Sequence, residues 1–276
     1  MAPALLLLAL LLTAQLAWAH GAVHEQIESL DARIARKPDN AELYLQRGRL
    51  FLEDRHFDEA VEDFRRGLQI DPQLRAAHYF LGDALLRSGD AAGGEREARA
   101  FLAALGAEDR GGLMRGYRLL GQSLLEQGRS VDAAGAFRTA LGHAPEPDPA
   151  HYRECAAAYL AAGPAQRETA LEILDEGLVR LGPLPALQEM AIEIELQAGR
   201  PDGAVKRLDA LIARGQGREL WLQRKGEVLL QSGRRGEARQ AFDAALAAIE
   251  ALPSTRRNTR ALRELEREVR SRLQGL

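Results

Sequence analysis

The stretch Ala41-Glu-Leu-Tyr-Leu-Gln-Arg-Gly48, followed by Phe57-Asp-Glu-Ala60, Phe64 and Asp71-Pro72, dictates a pair of packed helices. Pro72 blocks continuation beyond the second of them. Gly48 stands in the middle of the first, where glycine costs about 1 kcal/mol relative to alanine. A glycine at such a position points to a second helix coming so close that a larger side chain would overpack. Ala60 and Phe64, four residues apart, present a small and a bulky group on one face of the second helix.

The same arrangement returns along the chain. A small residue recurs at Gly48, Gly82, Gly121, Ala156, Ala191 and Gly226, at spacings of 34, 39, 35, 35 and 35 residues. After five of them comes a glycine (Gly89, Gly128, Gly163, Gly199 and Gly233) placed to end the helix with a left-handed residue. Bulky partners follow at Phe64, Phe137, Leu174, Leu208 and Phe242, whereas Ala98 takes that place in the second repeat. The extra residues around Gly106–Gly112 predict a longer connection, and the pairs Gly93-Gly94 and Gly111-Gly112 read as loops at helix ends. Pro145-Glu-Pro-Asp-Pro149 reads as a stiff turn, too short for a separate domain.

On these residues the chain resembles the tetratricopeptide repeat family. The Gly48 repeat, the Gly121 repeat (Tyr117-Arg-Leu-Leu-Gly121, Gly128, Ala133, Phe137, Pro145) and the Gly226 repeat carry the resemblance best. The Gly82, Ala156 and Ala191 units depart from it. The resemblance covers residues 40–252 and implies an all-α, right-handed superhelical solenoid of about six antiparallel helix pairs. Residues 20–39 predict an entry helix with apolar Ile27, Leu30 and Ile34. Residues 253–276 predict a capping helix from Thr255 to Leu273, with Leu262, Leu265, Val269 and Leu273 in one stripe.

Residues 1–19 carry no charged side chain, and Ala17-Trp18-Ala19 places small residues where a signal peptidase reads. They are expected to be a cleavable signal peptide, giving a periplasmic or secreted protein that begins at His20. An uncleaved anchor is the alternative, since about 18 apolar residues just span a bilayer. No second spanning segment follows. Cys155 is the single cysteine, so no internal disulfide forms, and it is expected to pack as a small buried side chain.

The formal net charge of −3 gives no global field to recruit nucleic acid or an acidic membrane. There is no P-loop, dinucleotide-binding glycine turn, zinc-spaced cluster or serine-nucleophile elbow. Neither catalysis nor a cofactor is expected. The resemblance implies a protein or peptide partner held in a concave groove lined by the first helix of each pair. Residues three before and one after each central small residue read as outward-facing: Leu45 and Arg49, Tyr79 and Asp83, Arg118 and Gln122, Arg153 and Ala157, Gln223 and Glu227. The groove candidates among them are Arg49, Tyr79, Asp83, Arg118, Gln122 and Arg153. Arg118 and Arg153 suit a carboxylate-bearing segment, with Tyr79 as an apolar contact. The carboxylate clamp of chaperone-binding relatives needs Lys and Asn where this chain has Leu45, Arg49 and Phe80, so that specialised role is not expected.

The expected function is an extracytoplasmic interaction scaffold, such as an assembly factor for an envelope complex. The alternative is a metal-handling protein. A mature terminus at His20 would offer an α-amine and an imidazole to a copper-like ion, with His24 and Glu25 within one turn. The arginines of the C-terminal helix (Arg256, Arg257, Arg260, Arg263, Arg267, Arg270 and Arg272) form a basic stripe of a kind that can bind phosphate or anionic lipid. The interleaved Glu264, Glu266 and Glu268 and the lack of aromatics favour a solvated capping face instead.

Overall fold

The computed structural model describes residues 23–276, so the predicted leader and His20 lie outside the described residues. All regular structure among the described residues is helical. The chain divides into two compact units, Met1–Glu146 and Pro147–Leu276. The division falls inside the stretch read as one solenoid, at the proline-rich turn.

In the first unit an entry helix α1 (residues 23–36) precedes three pairs: α2 (Ala41–Glu53) with α3 (Phe57–Ile70), α4 (Arg75–Arg87) with α5 (Ala91–Ala103), and α6 (Arg110–Glu126) with α7 (Ser130–His143). The second unit holds α8 (Pro149–Ala161) with α9 (Arg167–Leu181), α10 (Pro185–Gln197) with α11 (Pro201–Ala213), and α12 (Arg218–Gln231) with α13 (Arg235–Glu250). It ends in α14 (Ser254–Arg257) and α15 (Arg260–Gln274). Within each unit the second helix of one pair packs on the first helix of the next.

The recurring glycines are explained by what lies against them. A Cβ on Gly48 would stand 2.7 Å from Phe64 Cε1, and one on Gly121 would stand 2.8 Å from Phe137 Cε2. In both pairs the ring occupies the volume of the missing methyl group. The second pair has Ala98 instead of a ring, and there the absent Cβ of Gly82 faces Leu119 Cδ2 of the next pair at 2.9 Å. The five turn glycines all have positive φ, from 70° at Gly199 to 120° at Gly163. The first repeat puts Arg55 at the equivalent place, also left-handed with φ 65°.

Two expectations about loops are corrected. Gly111 and Gly112 lie inside α6, so the insertion lengthens that helix towards its N-terminus instead of forming only a connection. Gly93 and Gly94 likewise lie within the first turns of α5. An aspartate fixes each start: the Gly93 amide donates to Asp90 Oδ1 at 2.8 Å, and the Gly112 amide to Asp109 Oδ1 at 2.8 Å. The predicted C-terminal helix is also two pieces, broken at Asn258–Thr259. Both residue types favour caps over helix interiors because their side chains compete for backbone groups. The expected stripe survives in α15, where Leu265 and Val269 are buried and Leu262 and Leu273 pack beside them on Phe242, Ala245 and Ile249. Cys155 is fully buried, as expected.

Ion pairs recur between residues 32 or 34 apart, a little under or equal to one repeat length. Glu95 pairs with Arg129 at 2.8 Å, Asp175 with Arg207 at 2.6 Å, and Asp202 with Arg234 at 2.6 Å. Glu168 with Arg200 continues the pattern. Exposed pairs of this kind contribute little to stability, because solvent and salt screen them. Glu95 differs because it is buried and also accepts from Gln127 Nε2 at 2.7 Å and from Arg99.

Candidate partner-binding site

Five of the six groove candidates lie in the first unit, on the first helices of its pairs. There α2 packs beside α4, and α4 beside α6. The Arg49 guanidinium stands 5.0 Å above the Phe80 ring, which meets the Tyr79 ring edge-on at 5.3 Å. Tyr79 also leans on Phe101, with centroids 5.3 Å apart. Asp83 accepts from Arg87 Nε at 2.9 Å. Burial, helped by the Asp83 charge, pushes the Tyr79 phenol above its ordinary value, although Arg115, Arg118 and Arg87 act in the opposite direction. Tyr79 thus stays a neutral phenol that offers an O–H from an apolar body. Arg118 and Gln122, one turn apart on α6, are half-exposed. The structure therefore brings Arg49, Tyr79, Asp83 and Arg118 onto one mixed aromatic and cationic surface.

The sixth candidate, Arg153, is exposed on α8 in the second unit. It lines an open concavity of about 730 Å³ together with Met190 and Glu193 of α10 and Leu220, Trp221 and Arg224 of α12. The floor is apolar. Leu220 is 48% exposed, which makes it one of the few large apolar side chains left in solvent among the described residues. The Trp221 ring is fixed by its Nε1 donating to the Gln216 carbonyl at 3.2 Å. Arg224 reaches Glu193 at 2.6 Å, and Gln223 donates to Glu227 Oε1 at 2.9 Å. A rigid apolar floor with charged groups at its edge suits a protein segment that inserts an apolar anchor.

Leu45 does not face outward: it is 5% exposed and packs in a cluster with Ala77 and Leu81 of α4. The position three before the central residue lies on the flank of the helix, against the next first helix. Arg118 at the same place in α6 is half-exposed, whereas Leu45 is covered. His24 is exposed and meets Glu28 at 3.3 Å. Among the described residues no group of three or more possible ligands gathers for a metal ion. Met190, Leu220 and Trp221 were not among the sequence candidates. The cue for the latter two was the turn before them, where Gly215 and Gly217 both take positive φ, 78° and 61°.

Two stretches match tetratricopeptide repeat models, at residues 41–74 and 190–253. The chain carries tetratricopeptide repeats. The second matched stretch contains Met190, Glu193, Leu220, Trp221 and Arg224, so most of the concavity is built on tetratricopeptide repeat helices. No curated protein matches. Among solved structures, the C-terminal part of a repeat-containing protein from Cytophaga hutchinsonii matches with a TM-score of 0.64 and 16% identity, covering 87% of this chain and 95% of that one. A tetratricopeptide repeat protein from Parabacteroides merdae matches at 0.54 and 14% identity, covering 91% and 93%. The structure of the Cut9–Hcn1 assembly matches at 0.50 and 16% identity. There this chain is covered over 90% of its length but spans only 45% of the matched chain. These likenesses establish the all-α tetratricopeptide repeat fold. No helix among the described residues is long and apolar enough to cross a membrane.

Proposed function

We propose that this protein is a non-enzymatic scaffold that holds a segment of a protein partner, seated in the concavity between α8, α10 and α12. The observation that carries the reading is the half-exposed Leu220 beside a ring-locked Trp221. Apolar side chains held open in a concave, charge-rimmed site are what a partner's anchor residue fills. Arg153 supplies a guanidinium for an acidic group flanking that anchor. The face with Arg49, Tyr79, Asp83, Arg118 and Gln122 gives the first unit a second contact surface of more polar character.

We further propose that the protein is exported and works outside the cytoplasm, as an assembly factor for an envelope complex. The uncharged apolar run of residues 1–19 and its small residues Ala17 and Ala19 support this. Fractionation of expressing cells with intact-mass analysis tests it: a periplasmic chain beginning at His20 is the expected result, and a cytoplasmic chain retaining Met1 would refute it.

Peptide selection against the protein tests the binding site. Trp221 reports occupancy, because Trp18 of the leader is the second of the two tryptophans. Selected peptides should shift Trp221 emission, and Leu220→Glu should weaken them about tenfold or more. Peptides that bind the parent and Leu220→Glu equally, with no change at Trp221, would place the site elsewhere.

A further inference from the structure

Burial of Leu265 and Val269 against α13 fixes the rotation of α15 about its own axis. With about 3.6 residues per turn, the opposite face then carries Arg260, Arg263, Arg267 and Arg270, with Glu264, Ser271 and Gln274 between or beside them. All four arginines are exposed. Glu264 is held by Arg260 at 2.8 Å, and Glu266 and Glu268, on the flanks, pair with Arg270 at 2.7 Å and Arg272 at 3.8 Å. Among the described residues Arg263 and Arg267 meet no carboxylate; Arg267 donates only to the Arg263 carbonyl at 3.4 Å. Residues 253–276 hold seven arginines and three glutamates, a net +4, while the whole chain is −3, which leaves −7 for the remainder. Arg256 and Arg257 belong to α14, so α15 itself is +2, while its outward face, with four arginines and Glu264, is +3.

We infer that this face of α15 docks the protein electrostatically on an anionic phospholipid surface. It carries no apolar side chain, whereas the cores of protein–protein interfaces are depleted of charge and rich in apolar groups. A phosphate-rich surface needs no such core, because guanidinium groups bind phosphate through charge and paired N–H donors. The four arginines extend over eleven residues, or about 15 Å of helix, as a single convex row suited to a flat surface. A nucleic-acid strand would call for a basic groove and stacking aromatics, and this face has neither. The acidic remainder does not defeat the contact. A helix is about 10–12 Å across and the Debye length at physiological salt is about 8 Å, so charges behind α15 are largely screened from a plane that touches it.

The test is sedimentation of the full chain with vesicles of phosphatidylcholine, with or without phosphatidylserine. A retained apolar leader would partition into both, so the difference between the two vesicle types isolates the arginine contact. The parent is expected to prefer the phosphatidylserine vesicles, and to lose that preference in high salt. Each arginine near such a surface contributes roughly fivefold, so Arg260→Gln, Arg263→Gln and Arg267→Gln together should remove about 100-fold. A matched triple variant with the same charge loss, Arg65→Gln, Arg75→Gln and Arg180→Gln, should keep the preference. Equal binding of parent and α15 variant, an equal loss in the matched variant, or tighter binding to duplex DNA than to the vesicles would each overturn the inference.

Discussion

Phe242 fills the space that a methyl group on Gly226 would need, its Cε1 lying 2.5 Å from where that Cβ would stand. The ring is fully buried and packed among Leu222, Leu229 and Ala238, so it has nowhere to move. Gly226→Ala is therefore expected to destabilise by about 1–3 kcal/mol through overpacking, although alanine is the better helix former. Adding Phe242→Leu should return part of that loss. Gly135→Ala is the control: it is also helical, but a Cβ there meets nothing within 4 Å, and it should stabilise by about 0.5–1 kcal/mol. Urea denaturation of the parent and the three variants checks the signs.

Arg55 holds the left-handed turn that glycine holds in the other five repeats. A side chain in that conformation costs about 1–2 kcal/mol, and glycine's greater freedom in the unfolded chain offsets about half of the gain from removing it. Arg55→Gly should therefore raise stability by about 0.5–1 kcal/mol, and thermal melting would show it. A lower melting temperature would mean that the Arg55 side chain makes contacts worth more than the backbone strain.

Burial works against the charge of Glu95, but hydrogen bonds from Gln127, Arg99 and Arg129 outweigh it and hold the carboxyl below the ordinary value of 4.5. A carboxylate depressed on folding stabilises fully above its unfolded value, and the stabilisation is lost as pH falls through the folded one. Glu95→Gln is expected to be clearly less stable than the parent at neutral pH. The gap should close progressively below pH 4.5. A gap that stays constant with pH would assign the loss to packing instead of charge.

The repeat was legible because its cause is local. Gly48 and Phe64 lie 16 residues apart, as do Gly121 and Phe137, and Gly226 and Phe242, so one spacing encodes one contact. The surface was less legible because it depends on neighbours. Counting along a single helix placed Leu45 outside, whereas α4 covers it. Leu220 and Trp221 precede Gly226 by six and five residues, off the counted positions, and become a site only where α10 and α12 leave a space between them. The insertion before Gly121 was misplaced for a similar reason. Glycine pairs usually mark loops, but an aspartate three residues before Gly112 starts the helix early.

The rings set on glycines have a spectroscopic consequence. Gly48, Gly121 and Gly226 each direct an α-proton at the aromatic ring of the partner helix, so the ring current should displace three glycine resonances, one for each of three repeats. Separation of either helix from its partner erases the displacement in that repeat alone. Because stacked repeats contact only their neighbours, these three signals would record during denaturation whether the array opens at one end, at its middle or all at once.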